Sequence, residues 1–163
     1  MVRYAFITSL VFTLALACAS PYPLSAQRGE SDTFMSNRIT IRIGDRVFAG
    51  TLSDNATVDA FEKLLPLSVT MTELNGNEKF AELPVSVPAR ESRSPSIQTG
   101  DLMLYGSSTL VLFYESFTTT YRYTRIGQVD DPAGLKVALG SGNVAVTFET
   151  KGEKQSANRG GIR

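Results

Sequence analysis

The chain has 163 residues, and its 16 basic and 16 acidic side chains give a formal net charge of zero. It contains no histidine and a single cysteine, so an internal disulfide is excluded. Zero charge leaves no basic excess to attract nucleic acid. The missing imidazoles exclude a thiolate–imidazole zinc site and any Ser-His or Cys-His catalytic pair, so we expect no cofactor, metal or nucleic acid.

The first 26 residues have the pattern of a secretory signal. Arg3 precedes an uncharged, mostly apolar run from Tyr4 to Ala17, which is shorter than the roughly 20 residues of a membrane-spanning helix. Small residues follow the run, as in a signal peptide. Two cleavage sites fit. A cut before Cys18 would make it the lipidated first residue of a bacterial lipoprotein, and a cut after Ala26 would release a soluble protein. The mature protein is therefore expected to be exported from a bacterium, either lipid-anchored to the membrane or periplasmic or secreted.

Two polar segments bound the predicted domain. Residues 27–37 are predicted to form a disordered linker, and the Gly-containing residues 151–163 a disordered tail. The folded unit is therefore predicted to be a single domain that spans residues 38–150.

The first half of this domain predicts strands around one helix. "RITIRI" from Arg38 alternates between isoleucine and polar residues, which is typical of a half-buried strand. Gly44-Asp45 predicts a tight turn into a second strand over residues 46–52. A helix is then predicted from Asn55, whose side chain can cap its first turn, and Pro66 ends it.

A second hairpin follows the helix. "LSVTMTEL" (67–74) alternates, and Asn75-Gly76 is the strongest hairpin signal in the chain. "EKFAEL" (78–83) supplies the returning strand. The proline-containing residues 83–98 then predict an extended connection, and a connection of this length in a compact domain often carries function.

The second half predicts the central strands. Residues 100–106 and 109–117 are apolar on both faces and predict a buried hairpin. Residues 118–129 alternate and predict another strand. A second helix is predicted from Pro132 to Gly140, followed by a last strand over 143–149. The order predicts a mainly β fold, in which about eight antiparallel strands close into a barrel capped by two short α-helices.

Few acidic side chains have the context of a site. Glu73, Glu78 and Glu82 flank the Asn75-Gly76 turn, but their spacing matches no metal-binding loop. Asp130-Asp131 precedes the second helix, where carboxylates complement the helix dipole. These residues are therefore interpreted as structural.

Aromatic residues are concentrated near the predicted central strands. Tyr121, Tyr123 and Arg125 share one face of the alternating stretch, and tyrosine suits a barrel rim where one end is wet. Arg125 either donates to a ligand or forms an ion pair with Asp130 or Asp131. Phe113 is most simply a core residue. The candidate ligand-binding residues are Tyr105, Phe113, Tyr121, Tyr123 and Arg125, and none is predicted to be catalytic.

Three stretches resemble the bacterial cyclophilin-like domain family. They are "LPLSVTMTELNGNEKFAELP" (65–84), "GDLMLYGSSTLVLFY" (100–114) and "TTTYRYTRIGQVDDPAGLKVALGSGNVAVTFE" (118–149). The resemblance implies an eight-stranded barrel with a helix at each end. Cyclophilins are peptidyl-prolyl isomerases, whose site pairs an arginine with an apolar aromatic pocket, helped by glutamine, histidine and tryptophan. This chain contains neither histidine nor tryptophan.

Three functions stay open at this point. The first is a barrel that binds a small ligand or a proline-containing peptide without catalysis. The second is a divergent isomerase in which Arg122 or Arg125 donates to the proline nitrogen. The third is a purely structural surface domain. An open apolar pocket beside an arginine would favour the first two functions, and a filled barrel with Arg125 paired to an aspartate would favour the third.

Overall fold

The computed structural model of the protein describes residues 37–151. The predicted signal peptide, Cys18, and nearly all of the predicted linker and tail lie outside these residues. Within the described range, no helix is long and apolar enough to cross a membrane.

Eleven strands and two helices make up the described fold. The strands are β1 (Arg38–Ile43), β2 (Arg46–Leu52), β3 (Leu67–Leu74), β4 (Glu78–Glu82), β5 (Ser92–Arg93), β6 (Ser96–Ile97), β7 (Asp101–Tyr105), β8 (Thr109–Phe113), β9 (Phe117–Thr118), β10 (Arg122–Val129) and β11 (Val144–Thr150). The helices are α1 (Ala56–Glu62) and α2 (Leu135–Leu139).

Eight of the strands form a closed antiparallel barrel. Their order is β2-β1-β11-β3-β4-β8-β7-β10, and β10 returns to pair with β2. The short β5 pairs with β10 beyond this ring, and β6 and β9 form a separate pair. The predicted eight-stranded barrel with two short helices is therefore confirmed.

Local sequence explains the two tight hairpins. Gly44 has a φ of 55° in the turn between β1 and β2, and Asn75 and Gly76 have φ values of 57° and 73° between β3 and β4. Positive φ favours glycine and asparagine, and turns of this kind match the twist of antiparallel strands. These residues therefore set the registers Ile43↔Arg46 and Leu74↔Glu78.

The barrel core combines both helices with the inward side chains of the strands. Val58 and Phe61 of α1 and Leu135 and Leu139 of α2 belong to the same buried cluster as the strand residues. Asn55 caps α1 as predicted, because its Oδ1 accepts hydrogen bonds from the amides of Thr57 and Val58.

A buried lysine also lies inside the barrel. The side chain of Lys79 has no solvent exposure; its Nζ pairs with the Glu73 carboxylate and donates to the carbonyl of Gly142 at 2.7 Å. The Tyr114 hydroxyl donates to Glu73 Oε1 at 2.7 Å. Burial alone would raise the pKa of Glu73, but these hydrogen bonds, the Gly76 amide and the Lys79 charge together lower it.

The structure departs from the sequence prediction at two element starts. β10 begins at Arg122, not at Thr118, because Thr118 pairs with Ser96 of β6. α2 begins at Leu135, behind Gly134, whose φ of 79° is incompatible with a helix starting at Pro132. The connection over residues 83–98 carries β5 and β6.

Candidate functional site

A second apolar cluster lies on the outer face of the barrel. Successive strand residues point to opposite faces, so Met103 points away from Leu102 and Leu104, which are buried in the barrel core. The buried members of the outer cluster are Ile97, Met103, Val111, Phe113 and Tyr123. The strands β7 and β8 are therefore apolar on both faces, as the sequence predicts.

The β6–β9 pair covers only part of this outer cluster, through Ile97 and Phe117. An open pocket of about 370 Å³ remains beside it. Its lining combines aromatic, acidic and small polar side chains: Leu74, Asn75, Glu78, Phe80, Glu82, Tyr105, Thr109, Val111, Tyr121 and Tyr123.

A second open pocket of about 570 Å³ adjoins the first. It is lined by Asn75, Asn77, Glu78, Pro95, Phe117, Thr118, Thr119, Thr120, Tyr121 and Tyr123. The shared residues are Asn75, Glu78, Tyr121 and Tyr123. We call the two pockets together the tyrosine groove.

Three tyrosines form one wall of the tyrosine groove. The ring centroids of Tyr105 and Tyr121 are 6.2 Å apart and nearly perpendicular, and those of Tyr105 and Tyr123 are 5.8 Å apart. Tyr123 is buried against Phe113, at 5.5 Å. Tyr105 and Tyr121 are 47% and 62% exposed. The wall is therefore anchored at Tyr123 and open to solvent at Tyr121.

Burial raises the pKa of Tyr123 to about 12, with a further contribution from the charge of Glu78. Its phenol is therefore neutral at physiological pH and presents a hydroxyl and an uncharged ring to the groove.

Glu78 lies at the junction of the two pockets. It is only 8% exposed, and its carboxylate has no hydrogen-bond partner among residues 37–151. Burial, with a smaller contribution from the charge of Glu73, raises the pKa of Glu78. No donor of the described residues contacts this carboxylate, but its oxygens are not fully buried, so solvent in the open groove reaches them.

Glu82 differs from Glu78 although both point into the tyrosine groove. The Ser108 and Thr109 hydroxyls donate to its two oxygens at 2.8 and 2.7 Å. The Glu82 carboxylate is therefore satisfied by the protein itself, whereas that of Glu78 is not.

The tyrosine groove contains no basic side chain among the residues that the structure describes. Arg125 is turned elsewhere: its Nη2 donates to Asp101 Oδ1 at 2.9 Å and to Gln128 Oε1 at 2.8 Å. Its ion-pair partner is therefore Asp101, and not Asp130 or Asp131. Asp130 pairs instead with Arg38, at 2.6 Å.

The structure brings together three of the five sequence-predicted candidates. Tyr105, Tyr121 and Tyr123 line the groove, Phe113 supports Tyr123 from behind, and Arg125 does not line either pocket. These placements leave the binding role of each residue a prediction.

Sequence reasoning missed Glu78 and Glu82 as groove residues. The turn at Asn75-Gly76 places Glu73 opposite Lys79 on the inner face, while Glu78 and Glu82 point outward. Alternation along β4 could have predicted that Glu78 and Glu82 share the face opposite to Lys79. The sequence pattern does not show that this face is apolar, because its apolar residues come from distant strands. Within residues 37–151, no three Cys, Asp or Glu side chains are grouped to hold a metal ion.

Comparison with known proteins adds the family. No curated protein matches the chain. The solution structure of the hypothetical protein AF2241 from Archaeoglobus fulgidus is similar, with a TM-score of 0.45 and 14% sequence identity, over 74% of this chain and 98% of that one. The model of the cyclophilin-like family matches residues 41–149, which include every residue that lines the tyrosine groove. The chain belongs to the cyclophilin-like family.

Proposed function

We propose that this domain binds a small organic ligand or a peptide segment in the tyrosine groove, without catalysing a reaction. The exposure of Tyr121 carries the proposal. Tyr121 is 62% exposed at the edge of an open pocket with aromatic and acidic walls, although the barrel has an interior core that could bury such a residue. Aromatic walls with a few polar groups are typical of ligand sites.

A prolyl isomerase is a weaker candidate for this groove. Twisting an X–Pro bond is assisted by a donor aimed at the proline nitrogen, and the groove has apolar walls for a proline ring. The arginine donor that the sequence suggested is not in the groove, because Arg125 is fixed by Asp101 and no arginine or lysine in the described residues lines the two pockets. Binding without catalysis is therefore the better-supported function.

A purely structural role is the third candidate. The pairing of Arg125 with an aspartate agrees with it, but the open tyrosine groove does not, because a structural domain gains nothing from exposed aromatic rings. Large exposed apolar features on a folded domain usually mark sites of interaction.

The cellular location is part of the same proposal. An apolar run after Arg3 and the small residues before Gln27 favour export, and Cys18 favours a lipid anchor. The groove would then meet ligands or peptides outside the cytoplasm.

The test is a screen of ligand binding by two-dimensional NMR. The ¹⁵N-labelled full-length chain is titrated with a library of small organic compounds and short peptides, including Ala-Pro peptides. We expect at least one compound or peptide of the library to shift the amide resonances around Tyr105, Glu78 and Tyr121. Tyr121→Ala should weaken these shifts, whereas Val137→Ala, at an 81% exposed position on α2, should not. No groove shift with any compound at millimolar concentration would contradict the proposal.

A further inference from the structure

Two side chains of the tyrosine groove, Glu78 and Asn77, have acceptor oxygens without a donor among the described residues. The carboxylate of Glu78 has no hydrogen-bond partner among the described residues, although Glu78 is only 8% exposed. Asn77, which lines the second pocket, has a buried Oδ1 that is also unpartnered within the described part of the chain. Buried acceptors without donors are rare in native proteins.

No charged group of the described fold stabilises the ionised carboxylate of Glu78. The charged neighbour that acts on it is Glu73, which repels it, and the Lys79 ammonium faces the opposite side of the sheet. A buried and unpaired carboxylate destabilises a protein unless something compensates for its charge. Water in the open groove reaches the Glu78 oxygens in the free protein, so a ligand that displaces this water has to compensate for the charge.

The tyrosine rings around Glu78 favour the same kind of group. Ring faces carry partial negative charge and attract cations that lie within about 6 Å of the ring centre. The Tyr105 ring stands at 89° to that of Tyr121 and at 56° to that of Tyr123, with centroids 6.2 and 5.8 Å apart. Rings at such angles offer both a face and an edge to one small guest.

We propose that the ligand of the tyrosine groove presents an organic cation, an ammonium group on an apolar stem, to Glu78 and the tyrosine rings. This inference rests on the proposed binding function and names the chemistry that the groove selects. The apolar stem lies against Phe80, Val111 and Tyr123, and the charge lies beside the Glu78 carboxylate. The ammonium belongs either to a lysine side chain of a peptide or to a free amine.

A bare metal ion does not fit this arrangement. Calcium and magnesium take about six oxygen ligands or more, and the aromatic walls of the groove supply few. Glu82 already accepts hydrogen bonds at both oxygens, so Glu78 is the one carboxylate in the described groove that is free to act. A single carboxylate among aromatic rings matches an organic cation instead.

Calorimetric titration of the full-length chain with matched ligand pairs tests the proposal. Choline is compared with 3,3-dimethylbutan-1-ol, which has the same shape without the charge. A lysine-containing hexapeptide is compared with the same peptide in which norleucine replaces lysine. We expect the charged member of at least one pair to bind about tenfold more tightly or better, which is the scale of a desolvated cation–aromatic contact.

The pair that shows the charge preference identifies the source of the cation. Preference within the choline pair alone indicates a free quaternary ammonium, and preference within the peptide pair indicates a lysine side chain. Equal affinity within both pairs, or no binding of either charged probe, would overturn the inference. Failure of the calorimetric test would leave the proposed ligand binding standing if the NMR screen finds neutral compounds in the groove. The failure of the cation preference and the failure of ligand binding are therefore distinguishable.

Two variants separate the role of Glu78 from a general effect of charge. Glu78→Gln should abolish the preference for the charged probe while keeping the shape of the groove. Glu149→Gln removes the same charge at a half-exposed position that pairs with Arg42 and does not line the groove, so it should not change the preference for the charged probe. Tyr121→Leu provides a second test, because it keeps an apolar wall but should lower the affinity of the charged probe about threefold or more.

Discussion

Arg125 and Asp101 form an ion pair between two neighbouring strands on the outer face of the barrel. The guanidinium Nη2 lies 2.9 Å from Asp101 Oδ1, and the side chain of Asp101 is only 4% exposed. The other oxygen of Asp101 accepts a hydrogen bond from the amide of Gln98. Arg125 therefore compensates for a buried carboxylate and joins β10 to β7.

Arg125→Ala should destabilise the domain without a change in peptide isomerisation. The substitution leaves the Asp101 charge partly uncompensated, and an unsatisfied buried acceptor costs about 1–3 kcal/mol. Urea denaturation measures this cost. Uncatalysed exchange of an X–Pro bond takes tens to hundreds of seconds, so NMR exchange on Ala-Pro peptides shows any catalysis plainly. Acceleration by the unchanged protein that is lost in Arg125→Ala would instead make Arg125 a catalytic donor.

Truncation of Tyr121 and of Tyr123 should lower the stability of the domain by very different amounts. Tyr121→Ala removes a largely exposed ring, so we expect the free energy of unfolding to change by about 0.5 kcal/mol or less, while binding to the groove weakens. Tyr123→Ala removes a ring that is 5% exposed and packs on Phe113, so it should cost about 3 kcal/mol. Thermal or urea denaturation checks both values. Equal losses of stability would show that the exposed tyrosine also supports the fold.

Glu78→Gln should make the domain more stable at neutral pH. Burial raises the pKa of Glu78 above its unfolded value, so the folded state keeps the proton to a higher pH than the unfolded chain does. The contribution of Glu78 to stability is therefore fully present below the unfolded pKa and is lost as the pH rises through the folded pKa. At pH 7 the ionised carboxylate is a net cost, which glutamine removes.

Urea denaturation of both proteins at pH 7 and near pH 4 measures this effect. The stability advantage of Glu78→Gln should shrink as the pH falls through the folded pKa of Glu78. Taking the difference between the two proteins cancels most of the opposite effect of Glu73, whose lowered pKa favours folding at higher pH. The phenols of Tyr114 and Tyr123, on which the charge of Glu78 also acts, stay neutral throughout because burial raises the pKa of each. A variant less stable than the wild type at pH 7 would show that Glu78 has a partner in the folded protein.

Lys79 and Glu73 should be strongly coupled. Lys79→Met alone leaves the Glu73 carboxylate without its ammonium, and removal of one member of a buried pair costs about 3–5 kcal/mol. The cost should fall near the lower limit, because the Glu73 side chain is 25% exposed and can be hydrated. The double variant Lys79→Met/Glu73→Gln should recover much of the loss. A double-mutant cycle measures the coupling, and additive losses would show that the two charges do not depend on each other.

Gly127→Ala should weaken the closure of the barrel. A Cβ at Gly127 would lie 2.4 Å from the carbonyl oxygen of Thr51 in β2, so the backbone would have to move. This contact lies where β10 pairs with β2, next to the irregularity between Arg125 and Gly127. Gly142→Ala is the matched control, since a Cβ at Gly142 would have no neighbouring atom within 4 Å. We expect a loss of about 1–3 kcal/mol for Gly127→Ala and little change for the control.

The sequence predicts most of the fold because its local signals are strong. Alternating isoleucines from Arg38, the Asn75-Gly76 turn and the Asn55 cap each specify one conformation with residues close in the chain. The starts of β10 and α2 are predicted less well. Thr118 is engaged by Ser96 across the β6–β9 pair, and Gly134 begins the helix with a left-handed residue. The residues next to Thr118 and Gly134 in the chain do not reveal either feature, so the sequence pattern alone does not predict it.

The site is less predictable than the fold. The aromatic residues near the central strands point to Tyr121 and Tyr123, because tyrosine density is visible in the sequence. Glu78 is not visible in that way, since its environment is built by Tyr105, Val111 and Tyr121 from three separate segments. Alternation along one strand groups Arg125 with the tyrosines, but Asp101 of the neighbouring strand engages it.

The pairing of β1 with β11 also has a mechanical consequence. Ile39 lies opposite Thr150, and the amide of Lys151 donates to the carbonyl of Arg38 at 3.0 Å, so both ends of the barrel domain leave it at one point. A force that pulls Arg38 and Lys151 apart would load the hydrogen bonds of this antiparallel pair one after another, in an unzipping geometry. The domain should therefore open at lower force when it is stretched from Arg38 and Lys151 than when β2 and β10 are pulled from opposite ends, along the strands.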